Sequence, residues 1–204
     1  MKNLLIALFA ILAPVTSYAI VNEIAFDFGY DRTKYGLQRQ NSTVTRSYSG
    51  SLSTYIFDYT AIDISASKTS DITSENEVFS VAQGIEVIGQ QNRVNSNVYG
   101  IGIKQMFAPR TARLIPGVSL GYAKQFVNYD SDLTVRDTAS GTTLTINGGT
   151  KKQRIDSVFG TLSVQLRMTE RLSLKGSVRT LFPAFELDKA RDNIKYSVGF
   201  AWIF

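Results

Sequence analysis

The sequence predicts an all-β fold, an eight-stranded antiparallel up-and-down transmembrane β-barrel, and three observations lead to it. Apolar or aromatic side chains alternate with polar or small ones along segment after segment, which is the periodicity of strands. This alternation continues to the end of the chain and stops on Phe204. The mean hydropathy is -0.04, close to zero, as expected where lipid-facing and lumen-facing residues average out.

The terminal strand, residues 194–204, shows the pattern most clearly. Its large apolar residues fall on even positions and its small and polar residues on odd ones, so one face would meet lipid and the other a polar interior. A soluble β-sandwich is the alternative for any alternating chain, but it would not expose such a row of large side chains at its end. The outward set consists of Ile194, Tyr196, Val198, Phe200, Trp202 and Phe204.

Residues 1–19 have the pattern of a cleaved secretory signal peptide. Lys2 precedes an apolar run over residues 4–15, and Ser17-Tyr18-Ala19 places small residues at the two positions that a signal peptidase reads. The run is shorter than the ~20 residues of a spanning helix, which makes an anchored helix the weaker interpretation. The expected domain is therefore a barrel over residues 20–204. Export and a barrel together predict the cell outer membrane of a Gram-negative-type cell.

Eight strands give an even count, with both termini on the periplasmic side and long outer loops alternating with short turns. Residues 78–91 contain enough Val, Ile and Phe for another strand. We place them in an enlarged second outer loop, as a strand extension or a short helix, and ten strands remain the alternative. Residues 130–152 are expected to form a hairpin that stands above the membrane. The predicted strands cover residues 23–35, 46–57, 61–66, 97–107, 114–129, 158–166, 172–182 and 194–204.

Aromatic residues near the strand ends predict two girdles at the membrane interfaces. The outer girdle would contain Tyr30, Tyr35, Tyr48, Tyr122 and Tyr129, and the inner girdle Tyr55, Phe57, Phe107, Trp202 and Phe204. The orientation of the second strand stays open, because Leu52 and Ile56 compete with Tyr55 and Phe57 for its outward face.

Charged residues at inward positions are the candidate lumen charges. They are Glu23, Asp27, Asp31, Lys175, Arg179 and Lys195. An eight-stranded interior is only wide enough for side chains to fill it, which favours a plug of paired charges. The alternative is a polar path, lined by Lys175, Arg179 and Asp27, that passes small solutes.

Basic residues flank the first outer loop at the height where lipopolysaccharide phosphates would lie. These candidate lipopolysaccharide contacts are Arg32, Lys34, Arg39 and Arg46. Arginine pairs well with phosphate oxygens. Ordinary solvated loop charge is an equally good interpretation of the same residues.

The composition argues against catalysis and against several kinds of partner. The chain has no histidine, the commonest general base, and no distinctive Ser-Lys or Asp-Asp spacing. It has no cysteine and therefore neither a disulfide nor a thiolate metal site, and we expect no cofactor. The net charge is +5 without a run of five basic residues, so nucleic acid is not an expected partner.

The chain resembles the small outer-membrane β-barrel superfamily, which includes proteins like the OmpA transmembrane domain, OmpX and OmpW. The most specific element is the terminal strand, in which Tyr196, Val198, Phe200, Trp202 and Phe204 match the aromatic-ended assembly signal of such barrels. Residues 97–103 and 116–122 are similar to strands of these families. The small closed ring, the extended loops and the missing histidine predict a non-enzymatic structural or surface-interaction protein. The alternative is a narrow channel for small or hydrophobic solutes, of the kind proposed for OmpW-like barrels. The resemblance also implies outer-membrane lipids, lipopolysaccharide and the barrel-assembly machinery as partners of a monomer.

Overall fold

In the computed structural model, the described residues form nine strands, eight of which close into an antiparallel barrel. The structure describes residues 21–36, 39–76, 78–82, 84–183 and 194–204. The predicted signal peptide lies outside this range. No helix in these residues is long and apolar enough to cross a membrane.

The strands follow one another around the ring in chain order. They are β1 (Asn22–Tyr35), β2 (Asn41–Tyr55), β3 (Thr60–Glu75), β4 (Phe79–Ala82), β5 (Ile85–Met106), β6 (Leu114–Asp137), β7 (Thr143–Arg167), β8 (Leu172–Pro183) and β9 (Ile194–Ile203). The ladder β3-β2-β1-β9-β8-β7-β6-β5 closes through the β3–β5 pair, while β4 pairs only with the start of β5. The predicted eight-stranded up-and-down barrel is thus confirmed.

The outside of the barrel carries the large apolar side chains that the alternation predicts. Phe26 of β1 lies directly opposite Phe200 of β9, which in turn lies opposite Leu174 of β8. All three are exposed, and Phe200 exposes 57% of its surface. A continuous exposed apolar face on a closed ring suits contact with lipid, because the ring pairs its backbone groups internally.

Three strands are much longer than a membrane requires. β5, β6 and β7 contain 22, 24 and 25 residues, whereas about 9–11 residues cross a bilayer. Two segments that lie between predicted strands, and were expected as loops, are strands instead: residues 41–45 belong to β2 and 67–75 to β3. The predicted hairpin over residues 130–152 is confirmed, because it consists of the outer parts of β6 and β7. In the segment 78–91, the described residues 79–82 form β4 and residues 85–91 the start of β5, which confirms the strand extension rather than the short helix.

One residue expected in the inner girdle, Tyr55 of β2, does not lie on the outside of the barrel. Tyr55 points into the lumen and exposes only 5% of its surface, with Ser53 buried on the same face. Leu52 therefore takes the outer face. Tyr55 is not an interface anchor because its hydroxyl is needed as a donor inside the barrel. The other girdle residues are exposed: Tyr30, Tyr35, Tyr48, Tyr122, Tyr129, Phe57, Phe107, Trp202 and Phe204.

A charge at Phe200 tests the lipid-facing assignment. We expect Phe200→Lys to lower the free energy of unfolding by about 2–4 kcal/mol, the cost of a lysine near the bilayer midplane. Equilibrium urea unfolding in lipid vesicles measures the difference, with Phe200→Leu as a control that keeps the face apolar. A Lys variant as stable as the Leu variant would contradict the assignment.

Candidate functional site

The inner end of the lumen is organised around one carboxylate. Glu23 of β1 is fully buried and accepts hydrogen bonds from Lys104 Nζ at 2.6 Å, Tyr55 OH at 2.7 Å and Gln165 Nε2 at 2.9 Å. Its donors come from β2, β5 and β7, so this contact ties four strands together across the barrel. A buried carboxylate is stable only when it is paired and hydrogen-bonded, and Glu23 satisfies both conditions.

A second layer of charges lies further toward the outside. Lys175 Nζ of β8 donates to Asp27 Oδ2 of β1 at 2.9 Å, and both side chains are largely buried. The Arg179 guanidinium, two inward positions further along β8, lies 4.5 Å from the centre of the Phe159 ring and donates to Ser65 Oγ at 3.4 Å. A cation over an aromatic face in a desolvated site is a stabilising contact.

Glycines on the inner face make room for the Phe159 ring. Phe159 of β7 is only 1% exposed although its strand position points into a polar lumen. A Cβ at Gly100 or Gly102 would lie 2.9 Å from the ring, and one at Gly121 would lie 2.7 Å from it. The missing side chains on β5 and β6 therefore form the slot in which the ring lies.

These two layers close the barrel rather than line a path through it. A cavity of about 40 Å³ remains beside Asp27, Lys175 and Arg179, which is room for only a few water molecules. Ser53 Oγ also donates to Asp63 at 2.7 Å, which satisfies another inward carboxylate. In the described part of the chain, no cluster of three or more acidic side chains could hold a metal ion.

The predicted lumen charges do not all lie inside. Glu23, Asp27, Lys175 and Arg179 are in the lumen, whereas Lys195 lies half-buried and Asp31 exposed at its outer mouth. Asp31 is therefore a mouth residue, because β1 has already left the enclosed part of the barrel at that position. Sequence reasoning missed the partners Lys104, Asp63, Gln165 and Phe159. Applying the same alternation to β3, β5 and β7 would have found them, since each occupies an inward position.

The predicted basic residues lie at the outer ends of the first strands. Arg32 and Lys34 of β1 and Arg46 of β2 share the outer face of the wall with Lys68 of β3, while Arg39 lies in the tight turn before β2. We call Arg32, Arg46 and Lys68 the basic patch. Among the described residues, none of these three forms an ion pair, and they lie next to the exposed rings of Tyr30 and Tyr48.

The β6–β7 hairpin and the start of β5 form a sheet beyond the barrel. Phe79, Val87, Val135 and Leu144 lie in one row across β4, β5, β6 and β7, and Leu133 and Ile146 continue the same face. Val87 is buried, whereas Phe79, Leu144 and Ile146 are exposed. The outer sheet thus has a partly uncovered apolar face.

The tip of this hairpin is an ordered turn. Ser140 Oγ donates to Asp137 Oδ2 at 2.8 Å and the Ala139 N–H donates to Asp137 Oδ1 at 2.9 Å. The hydrogen bond from Ser140 lowers the pKa of the Asp137 carboxyl below its ordinary value. The contribution of these bonds is therefore present at neutral pH and is lost as the pH falls through the lowered pKa.

Solved structures of small barrels resemble this chain at low sequence identity. The N-terminal β-barrel domain of Pseudomonas aeruginosa OprF matches with a TM-score of 0.51 and 14% identity, over 90% of this chain and 97% of that chain. Ail, the attachment invasion locus protein of Yersinia pestis, matches with a TM-score of 0.46 and 9% identity, over 92% of this chain and 100% of that chain. Neisserial surface protein A matches with a TM-score of 0.44 and 12% identity, over 90% of this chain and 97% of that chain. No family model and no curated protein sequence matches. The chain thus has the fold of the small eight-stranded outer-membrane barrels.

Removing the charge of Glu23 tests the inner layer. We expect Glu23→Gln to lower the free energy of unfolding by about 3–5 kcal/mol, because Lys104 keeps a buried charge without its partner. Replacing both partners, with Glu23→Gln and Lys104→Met, should recover most of the loss. Urea unfolding followed by the fluorescence of Trp202 provides the measurement, and Asp31→Asn is the control at an exposed carboxylate. Equal losses in the single and double variants would contradict the pairing.

The slot for Phe159 is tested by two matched glycine substitutions. Gly121→Ala should cost about 1–3 kcal/mol, because the new methyl group meets the Ile101 carbonyl oxygen and the Phe159 ring. Gly176→Ala should be neutral or slightly stabilising, because a Cβ there has nothing within 4 Å. The same unfolding assay compares them, and similar stabilities for the two variants would count against the slot.

Proposed function

We propose that this protein is a non-enzymatic integral protein of the outer membrane, with a structural or surface-interaction role that its outer strands and turns perform. The observation that carries the proposal is the combination of a lumen filled by paired charges and strands that extend far beyond the membrane. The OprF-like fold supports the location in the membrane. The role itself rests on the side chains described above.

The outer sheet is the part of the molecule that is available to a partner. Among the described residues, the pairing of β7 with β8 begins at Ser157. From Ser157 back to Thr143, β7 extends about 45 Å at roughly 3.3 Å per residue. Side chains 143–154 are exposed, and they include Leu144 and Ile146. A long ordered sheet is not needed to cross a bilayer, so its ordered, exposed surface favours a role in contact with other molecules.

The alternative role, a narrow channel, fits the lumen less well. The three residues that would line a path, Asp27, Lys175 and Arg179, are engaged by one another or by Phe159 and Ser65. Below them, Glu23 and Lys104 fill the next layer. A solute would have to displace two buried ion pairs, each of which is costly to break.

The outer surface also supports a lipid partner. We include lipopolysaccharide phosphates as ligands of the basic patch, helped by Lys34 and Arg39. The three cations of the patch lie beside interface tyrosines, and none of them pairs with an acidic side chain of the described residues. The exposed even-numbered face of β9 and Phe204 would supply the signal for the barrel-assembly machinery, and the chain would act as a monomer.

Shortening the hairpin tests the surface role. A variant in which a two-residue Asn-Gly turn replaces residues 131–149 should fold as well as the wild type, because β6 and β7 keep their ladder up to the Asp130–Thr150 pair and β5 keeps its pairing with β3. Cells that display this variant should adhere less well than cells that display the wild-type protein at equal surface density. Loss of folding, or unchanged adhesion of cells that adhere through the wild-type protein, would contradict the proposal.

The basic patch is tested by neutralising its charges. Arg32→Gln, Arg46→Gln and Lys68→Gln together should weaken binding of purified lipopolysaccharide to the micelle-bound protein by more than about tenfold, since charge-assisted hydrogen bonds contribute ~1.5–3 kcal/mol each. The control removes three charges elsewhere through Arg113→Gln, Lys151→Gln and Arg171→Gln. If both triple variants bind equally well, the patch is not the site.

A further inference from the structure

The β6–β7 hairpin contains an asparagine–glycine pair where its ladder is interrupted. Asp132 pairs with Asn147 and Asp130 pairs with Thr150, so Gly148 and Gly149 form a bulge opposite Ser131. Gly149 has a φ of 79°, in the left-handed region that favours glycine. Asn147 is exposed to solvent. Asn147-Gly148 therefore lies next to an irregular part of the ladder, whereas Asn95 and Asn97 of β5 lie in a regular part.

The side chain of Asn147 is held over its own backbone. The Gly149 N–H donates to Asn147 Oδ1 at 2.7 Å, which closes a turn through the side chain. The Gly148 backbone nitrogen is part of the ring that this hydrogen bond closes, between the backbone of Asn147 and the donating Gly149 N–H. The hydrogen bond also withdraws electron density from that carbonyl, which makes its carbon more electrophilic.

From this geometry we propose that Asn147 is a site of spontaneous deamidation. The Gly148 backbone nitrogen loses its proton to water or hydroxide and attacks Cγ of Asn147, forming a C–N bond. The bond from Cγ to Nδ2 breaks, and the side-chain nitrogen leaves as ammonia after it gains a proton. Gly148 has no side chain to hinder the approach, and proximity makes the attack intramolecular.

Water completes the reaction. It adds to either carbonyl of the resulting five-membered succinimide and opens the ring, giving aspartate at position 147 or an isoaspartyl linkage to Gly148. In the net reaction, the side-chain amide and water are converted to a carboxylic acid and ammonia, and no oxidant or reductant is needed. Since the attacking nitrogen must lose its proton, the rate rises with pH.

Deamidation would weaken the outer half of the hairpin. Asp132 lies directly opposite position 147, so the new carboxylate places two like charges across the ladder. An isoaspartyl linkage also lengthens the backbone by one methylene group at the bulge. Both changes act on residues 132–137 and 143–147, which carry the apolar row of the outer sheet, and leave the barrel unchanged.

Peptide mapping by mass spectrometry of the folded protein tests the reaction. After incubation in mildly alkaline buffer, Asn147 should be converted at least about tenfold more than Asn95 and Asn97, which lie in the regular ladder of β5. Incubation at mildly acidic pH should slow the conversion, and Asn147→Gln should abolish it. Conversion of Asn147 no greater than that of Asn95 and Asn97 would overturn the proposal.

Hydrogen exchange tests the structural consequence. Asn147→Asp should speed amide exchange at residues 132–137 and 143–147 relative to wild type, with β8 unchanged, while Asn147→Gln should leave exchange in both regions slow. Unchanged exchange in the Asp variant would show that the charge opposite Asp132 does not weaken the hairpin, which would overturn this part of the proposal.

Discussion

The burial of one carboxylate, Glu23, is the interaction on which the rest of the lumen depends. It lies in the first strand of the barrel, yet it takes donors from three other strands that lie further along the chain. Such a contact forms only when the ring is closed and β1 has paired with β9. The ion pair with Lys104 and the closure of the barrel therefore support one another, because an unpaired Glu23 would be costly in the closed barrel.

The molecule thus has two parts along the barrel axis, a membrane-spanning part and an outer extension. The membrane-spanning part has an apolar outside and a lumen in which Asp27, Lys175 and Arg179 are already engaged. Its side chains are used for stability. The extension of β5, β6 and β7 has no such interior, and its exposed Leu144 and Ile146 are not needed to hold the barrel closed. A filled lumen beneath an exposed outer sheet is the physical basis of the surface role that we propose.

The sequence predicted the barrel well where lipid imposes a pattern, and less well where it does not. β9 was recognisable because lipid selects Phe200 and its even-numbered neighbours. Residues 67–75 of β3 looked like a loop, since polar residues occupy both of their faces and the alternation disappears. Tyr55 was misassigned because an aromatic ring at a strand end fits both an interface anchor and a lumen donor. The alternation could have placed Lys104 and Phe159 on the inward face, but not their partners, because those contacts cross the barrel between positions far apart in the chain.

The central claim is that paired charges seal the lumen, and single-channel recording tests it most directly. Residues 20–204, refolded and inserted into planar bilayers, should show no stable conductance, whereas the same protein with Glu23→Gln, if it folds, should show transient openings as the inner layer loosens. Reproducible, long-lived conductance from folded wild-type protein would mean that a continuous water-filled path exists, and it would contradict the account.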